Sequence, residues 1–158
     1  ITLTHEPELL GTAGTLIHNL DFYKGDDVML IHADNYCEED LEKLIQAHKN
    51  RPNNCIMTMM TFRTKNPSSC GIVDLDKNNV VTLMHEKEKS IKSNLANCAV
   101  YILSKNFLEH TMLSKNIKDF SKEVIPKCYG KIFTFETKKI FEDIGTNQTY
   151  SQLKQILK

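Results

Sequence analysis

Apolar positions along this chain fall into short unbroken runs and helical stripes, and the two alternate. Val28-Met29-Leu30-Ile31 is a continuous apolar run, preceded by Gly25-Asp26-Asp27 and broken by His32-Ala33-Asp34-Asn35. A run of that length between turn signals predicts a central strand of a parallel sheet, buried on both faces. Cys55–Phe62 predicts a second central strand. Ile1–His5 alternates like a strand and is ended by Pro7, which cannot extend a central ladder. Ile72–Asp76 and Val80–Met84 flank Lys77-Asn78-Asn79, which predicts a β-hairpin. Asn97–Leu103 and Lys131–Phe135 complete the expected strands.

Helical spacing appears between these runs. Ala13, Leu16, Ile17 and Leu20 mark a helix that ends near Gly25. Glu38–His48 has acidic residues in its first turn, with Leu41, Leu44, Ile45 and His48 on one face. Ser104–Leu113 predicts a helix and Asp119–Pro126 a short capped one. Phe141–Thr146 reads as a turn, and Thr146 as the cap of a closing helix over Asn147–Leu157. Strands alternating with helices predict an α/β, Rossmann-like open sheet, mixed but mostly parallel, with a hairpin insertion. The strand pattern begins at the first residue without a lead-in, which predicts a natural start further upstream.

Composition narrows the function. The 158 residues suit one domain, and Lys+Arg and Asp+Glu balance at 20 each. Such a chain has no basic field for nucleic acid or an anionic membrane. No apolar run approaches a transmembrane span. Five widely spaced cysteines without a CxxC pair read as reduced thiols of a cytoplasmic protein.

A few residues carry chemistry. Asp34 follows an apolar strand, at the position where open α/β sheets bind ligands, although a carboxylate there can also cap the next segment. Gly11 and Gly14 sit at a turn into a helix, where the backbone can approach a ligand or simply bend. Asp74 and Asp76 have the spacing of a metal-binding pair in some glycosyltransferases, but the hairpin reading makes them turn residues. Glu86 and Lys87 stand at a strand end, within the charge run His85–Lys89.

Leu10-Gly-Thr-Ala-Gly14, His32-Ala-Asp-Asn35, Gly71-Ile-Val-Asp-Leu-Asp76, Glu86-Lys87, Asn97-Cys-Ala-Val-Tyr101 and Asp143-Ile-Gly-Thr146 occur in this order. Together they resemble the sugar-1-phosphate nucleotidyltransferases, across nearly the whole chain. The Leu-Gly-Thr-Ala-Gly form is most similar to mannose- and heptose-1-phosphate guanylyltransferases. The resemblance implies a nucleotide-diphospho-sugar transferase-like fold and transfer of a nucleoside monophosphate from a triphosphate, GTP in the guanylyl branch, to a sugar 1-phosphate. It implies Leu10, Gly11, Thr12 and Gly14 at the nucleotide. Gly71, Glu86, Lys87 and Asn97 would meet the sugar phosphate, Lys87 holding its phosphate. Asp34 and Asp143 would bind a catalytic Mg²⁺, making Asp34, Asp143 and Lys87 the catalytic set.

The chain departs from the family pattern in places. The family's N-terminal glycine-rich Arg/Lys loop is absent, so residues 1–158 correspond to the C-terminal portion of an N-terminally truncated catalytic domain. Cys70 stands where an aromatic is common, Glu88 where proline follows Glu-Lys, and Ala99 where Asn-Ala-Gly has its glycine. Two other readings share the pattern: an inactive regulatory or assembly domain, and a nucleotide-sugar glycosyltransferase. Missing opening units also predict an exposed sheet edge that promotes association, a homo-oligomer being one form.

Overall fold

The unbroken apolar character of the middle strands has a direct structural cause: helices cover the sheet on both sides. A computed structural model describes residues 2–23, 25–86, 91, 93–111 and 117–157. Its main sheet has six strands: β1 (Val28–Ile31), β3 (Met57–Arg63), β4 (Gly71–Leu75), β5 (Val81–Glu86), β6 (Leu95–Leu103) and β7 (Ile132–Glu136). Short strands β2 (Asn35–Cys37) and β8 (Phe141–Asp143) form a separate two-stranded ribbon. The helices are α1 (Gly11–His18), α2 (Leu41–Lys49), α3 (Lys105–Thr111) and α4 (Asn147–Ile156).

The order across the main sheet is β5-β4-β6-β3-β7, with β1 also on β6. β3 and β7 pair in parallel, whereas β6 runs antiparallel to β1, β3 and β4. β1, β3, β4 and β7 therefore share one direction, and β5 and β6 oppose them. This is the expected mixed α/β sheet with its hairpin, β4–β5. Its directly parallel contact lies at β3–β7 because β6 is inserted between strands that run the same way.

Alternation along the strands sorts the core into two layers. Met57 and Met59 of β3 with Tyr101 and Leu103 of β6 join Ala13, Leu16, Phe107, Phe120 and Ile125 in one layer. Met60, Val100 and Ile102 face the other way, to Leu44 of α2 and Phe141 of β8. The run Cys55–Phe62 is central, as its pattern predicts.

Val28–Ile31 is not central. β1 pairs with β6 on one side and has no ladder partner on the other among the described residues, and Ile31 is 43% exposed. Its apolar residues still pack: Val28 and Leu30 meet one core layer and Met29 the other. Residues that cover both faces leave an edge free, so an apolar run is compatible with an edge position. Residues 2–5 form no strand and are exposed, since no described strand offers them a ladder; Ile1 lies outside the described residues. Leu3 and Leu9, 90% and 95% exposed, add apolar surface to this part of the chain. The expected helix over Ser104–Leu113 is observed to Thr111, its last two residues lying outside those described.

His48 ties α2 to the sheet. It is buried, its Nδ1 is 2.8 Å from Thr58 Oγ1, and its Nε2 is 3.5 Å from Asp27 Oδ2. Burial pushes its pKa from 6.5 down to about 4; Arg51 adds to the effect and Asp27 opposes it. Between those values the unfolded chain takes up a proton that the native chain refuses, so stability falls as pH falls from 6.5 towards 4. The loss should be on the order of 3 kcal/mol at most. Urea melts across this window should show that slope flattened in His48→Gln; an unchanged slope would exonerate His48.

Candidate active site

The site is built where two chain segments, distant in sequence, are clamped by the β2–β8 ribbon. Asn35 pairs with Asp143 and Cys37 with Phe141 across it, and Ile144 N–H donates to Asp34 O at 2.8 Å. Phe141–Asp143 is thus a strand where the sequence predicted a turn; its three residues are too few for a periodic signal. The ribbon sets Asp34 and Asp143 side by side at Gly145. A Cβ added to Gly145 would lie 2.9 Å from Asp34 Oδ2 and 3.0 Å from Asp143 Oδ1. Gly145 N–H also donates to Asp143 Oδ1 at 2.9 Å, which orients that carboxylate. Thr146 then caps α4 through a capping box with Thr149.

A cleft of about 450 Å³ is lined by Thr12, His32, Glu86, Asp119, Ser121 and Lys122. His32 is two residues from Asp34, so the cleft and the carboxylate pair share one loop. Glu86 ends β5 opposite Gly71 of β4. A side chain at Gly71 would begin 3.2 Å from both Glu86 Oε1 and Met84 Sδ. Glycine therefore leaves Glu86 its position at the cleft. Lys87 lies outside the described residues. Lys122 is a cation of the opposite wall that the sequence reading did not single out; nothing in its short capped turn marked it.

Asn97 is engaged from within. Its Oδ1 accepts from Ala99 N–H at 2.9 Å, and its Nδ2 donates to Tyr101 Oη at 2.6 Å. Its second amide hydrogen points to Met84 Sδ at 3.9 Å, a long contact to a weak acceptor. Asn97 also sets the backbone. Ala99 takes φ 54°, and the register with β3 jumps between Met59–Tyr101 and Thr61–Asn97. Met60 therefore stands opposite Cys98, Ala99 and Val100, a bulge in the most-paired strand.

The glycine turn at α1 is held by the segment before the π-turn Phe120–Val124. Gly11 has φ 76°, and a Cβ there would lie 2.5 Å from Lys118 O. Ala13 N–H donates to that same carbonyl, and Phe120 N–H donates to Thr12 Oγ1, both at 2.9 Å. Leu10 N–H donates weakly to Glu6 Oε2 at 3.4 Å. A second, more apolar hollow of about 620 Å³ runs past Leu9, Leu10, Gly14 and Ile17. The bend expected at this turn thus rests on Gly11, and the close approach there is by the chain's own Lys118 carbonyl.

Asp74 and Asp76 serve the hairpin. Asp74 Oδ2 is 2.8 Å from His85 Nε2, while Asp76 Oδ1 accepts from the N–H groups of Asn78 and Val80. They are not a metal pair, which removes the main support for a glycosyltransferase. Among the described residues no group of three or more His, Cys, Asp or Glu could hold a metal, so the Asp34–Asp143 pair would need ligands from elsewhere.

The fold is an open, mixed α/β sheet that brings Asp34 and Asp143 together at Gly145. The chain belongs to the nucleotidyl transferase family, whose model matches residues 1–158. It is 30% identical over 151 residues to a glucose-1-phosphate adenylyltransferase of Mycoplasma mobile, covering 89% of this chain and 40% of that protein. A Lachnospira eligens protein of the same name is 29% identical, with 89% and 35% covered. The crystal structure of HddC from Yersinia pseudotuberculosis superposes with TM-score 0.79 and 26% identity, covering 97% of this chain and 65% of that one. The same protein is also known complexed with GMP-PN. The chain thus spans less than half the length of the two adenylyltransferases and about two thirds of HddC.

Two substitutions probe the site. Gly145→Ala should push the carboxylates apart and lower the turnover of the full-length protein by about tenfold or more, while leaving the melting temperature close to wild type. Unchanged kinetics would show that the spacing of the pair is immaterial. Ala99→Gly should raise stability by up to about 1 kcal/mol, because relieving a left-handed alanine exceeds the added chain entropy. A lower melting temperature would contradict this.

Proposed function

We propose that the protein carrying this chain transfers a nucleoside monophosphate from a nucleoside triphosphate to a sugar 1-phosphate, releasing pyrophosphate. The convergence of Asp34 and Asp143 at Gly145 carries this reading. Two hard carboxylate oxygens converging where Gly145 has no side chain suit Mg²⁺, which takes its other ligands from water and phosphates. When bound there, the ion would neutralise charge on the reacting phosphates. Asp34 and Asp143 would hold it, and the ribbon keeps both in place before substrate arrives.

The other residues work on the two anions. The turn at Leu10, Gly11, Thr12 and Gly14 presents backbone to the nucleotide. Glu86 accepts hydrogen bonds from sugar hydroxyls, Gly71 leaves room beside it, and Asn97 meets the sugar by exchanging its long Met84 Sδ contact for a sugar oxygen. Lys87, next in the chain, counters the sugar phosphate as a point charge. The Leu-Gly-Thr-Ala-Gly form and the GMP-PN complex of HddC favour GTP; the adenylyltransferase names favour ATP. We assign the reaction to the cytoplasm, where five free thiols would stay reduced. No described helix is long and apolar enough to cross a membrane. The unpaired edge of β1 supports association with a further strand or a second copy.

The test is pyrophosphate release by the full-length protein, with GTP or ATP and mannose or glucose 1-phosphate. Asp34→Asn should lower kcat at least about 100-fold with the fold intact. A wild-type protein inert with every pair would sink the proposal.

A further inference from the structure

The ribbon that carries both carboxylates has no ladder to the main sheet, so something else must set its position. At one end, the Phe141 ring packs on Phe62 with centroids 4.7 Å apart. That contact is apolar, and near it Thr137 N–H donates to Thr61 O of β3 at 2.8 Å while Thr137 Oγ1 donates to Glu39 Oε2 at 2.7 Å. At the other end, next to Asp34, Asn35 Nδ2 donates to Cys98 O at 3.0 Å. Among the described residues, this hydrogen bond joins ribbon to sheet. Its acceptor belongs to the bulge of β6, where Asn97 holds Ala99 N–H and Ala99 turns left-handed. Asn35 is also the register partner of Asp143. One side chain thus abuts one carboxylate in sequence and the other across the ribbon, and fastens both to the strand that bears Asn97.

We infer that Asn35 is a positioning residue, which sets the Asp34–Asp143 pair against the sheet through the Cys98 carbonyl of the β6 bulge. The inference rests on the metal reading of that pair. Thr137 holds the far end of the ribbon, and at the carboxylate end the directional bond of Asn35 fixes where it stops. Asn35 touches no reacting group in this role. Losing it should loosen the carboxylates and leave the sugar side, built on β4 and β5, in place.

Asn35→Ala and the volume-conserving Asn35→Leu, in the full-length protein, should bind Mn²⁺ about 10–100-fold more weakly than wild type. Free Mn²⁺ is followed by electron paramagnetic resonance during titration of the metal alone. kcat should fall by a similar factor, with the KM for sugar 1-phosphate and the melting temperature near wild type. A purely structural role would lower the melting temperature and disturb both KM and kcat; whichever variant keeps the wild-type melt decides. Asp34→Asn runs alongside. If it loses Mn²⁺ while a folded Asn35 variant keeps wild-type affinity and kcat, the inference falls and the proposed function stands. If Asp34→Asn and wild type bind Mn²⁺ equally, the metal reading fails and the inference with it.

Discussion

The bulge in β6 is the constraint on which the rest of this molecule depends. β6 is the strand that every layer uses: β3 pairs along one side, and β4 and β1 share the other. A regular β6 would keep its carbonyls in ladders and give the β2–β8 ribbon nothing to grip. The extra residues around Cys98 and Ala99 break the ladder locally and turn a carbonyl outward. The cost is a non-glycine residue at φ 54°, held there by the Asn97 side chain. Such strain persists where the surroundings over-determine it, as the Asn97, Tyr101 and Asn35 contacts do here.

The electrostatics follow from that scaffold. Two carboxylates facing one point repel, and a ribbon with only its own three pairs would relieve the repulsion by opening. Here Gly145 N–H offsets part of the charge on Asp143, and Asp34 is fixed through its own carbonyl by Ile144 N–H. The pair is therefore held in one arrangement by backbone hydrogen bonds on both sides. Glu86, Asp119 and Lys122 give the cleft both signs of charge, Lys122 lying 3.8 Å from Asp119.

Glycines mark the places where backbone must come close, and each has a different reason. Gly11 yields to the Lys118 carbonyl, Gly71 to Glu86 and Met84, and Gly145 to the two carboxylates. The segment 117–122 matters for the same cause. It meets α1 through Lys118 and Phe120, and it brings Ser121 and Lys122 to the cleft. The glycine turn at α1 and the cleft are therefore parts of one packed unit.

Much of this was legible in the residues. The strands from Met57 to Arg63, the Gly71–Glu86 hairpin, β6, β7 and the cap at Thr146 follow from patterns that local physics enforces. Apolar periodicity reports which faces are covered, and turn residues report where the chain bends. The ordered motifs pointed to the family in the same way. What tertiary structure alone decided concerns edges, pairings and hydrogen bonds between distant segments. Val28–Ile31 is apolar enough for a central strand yet lies at an edge, because periodicity records faces and is silent about lateral partners. Phe141–Asp143 becomes a strand only through Asn35–Cys37, a pairing too short to leave a pattern. Asn35 reads as one polar residue after Asp34, and its grip on Cys98, 63 positions away, exists only once β6 has bulged.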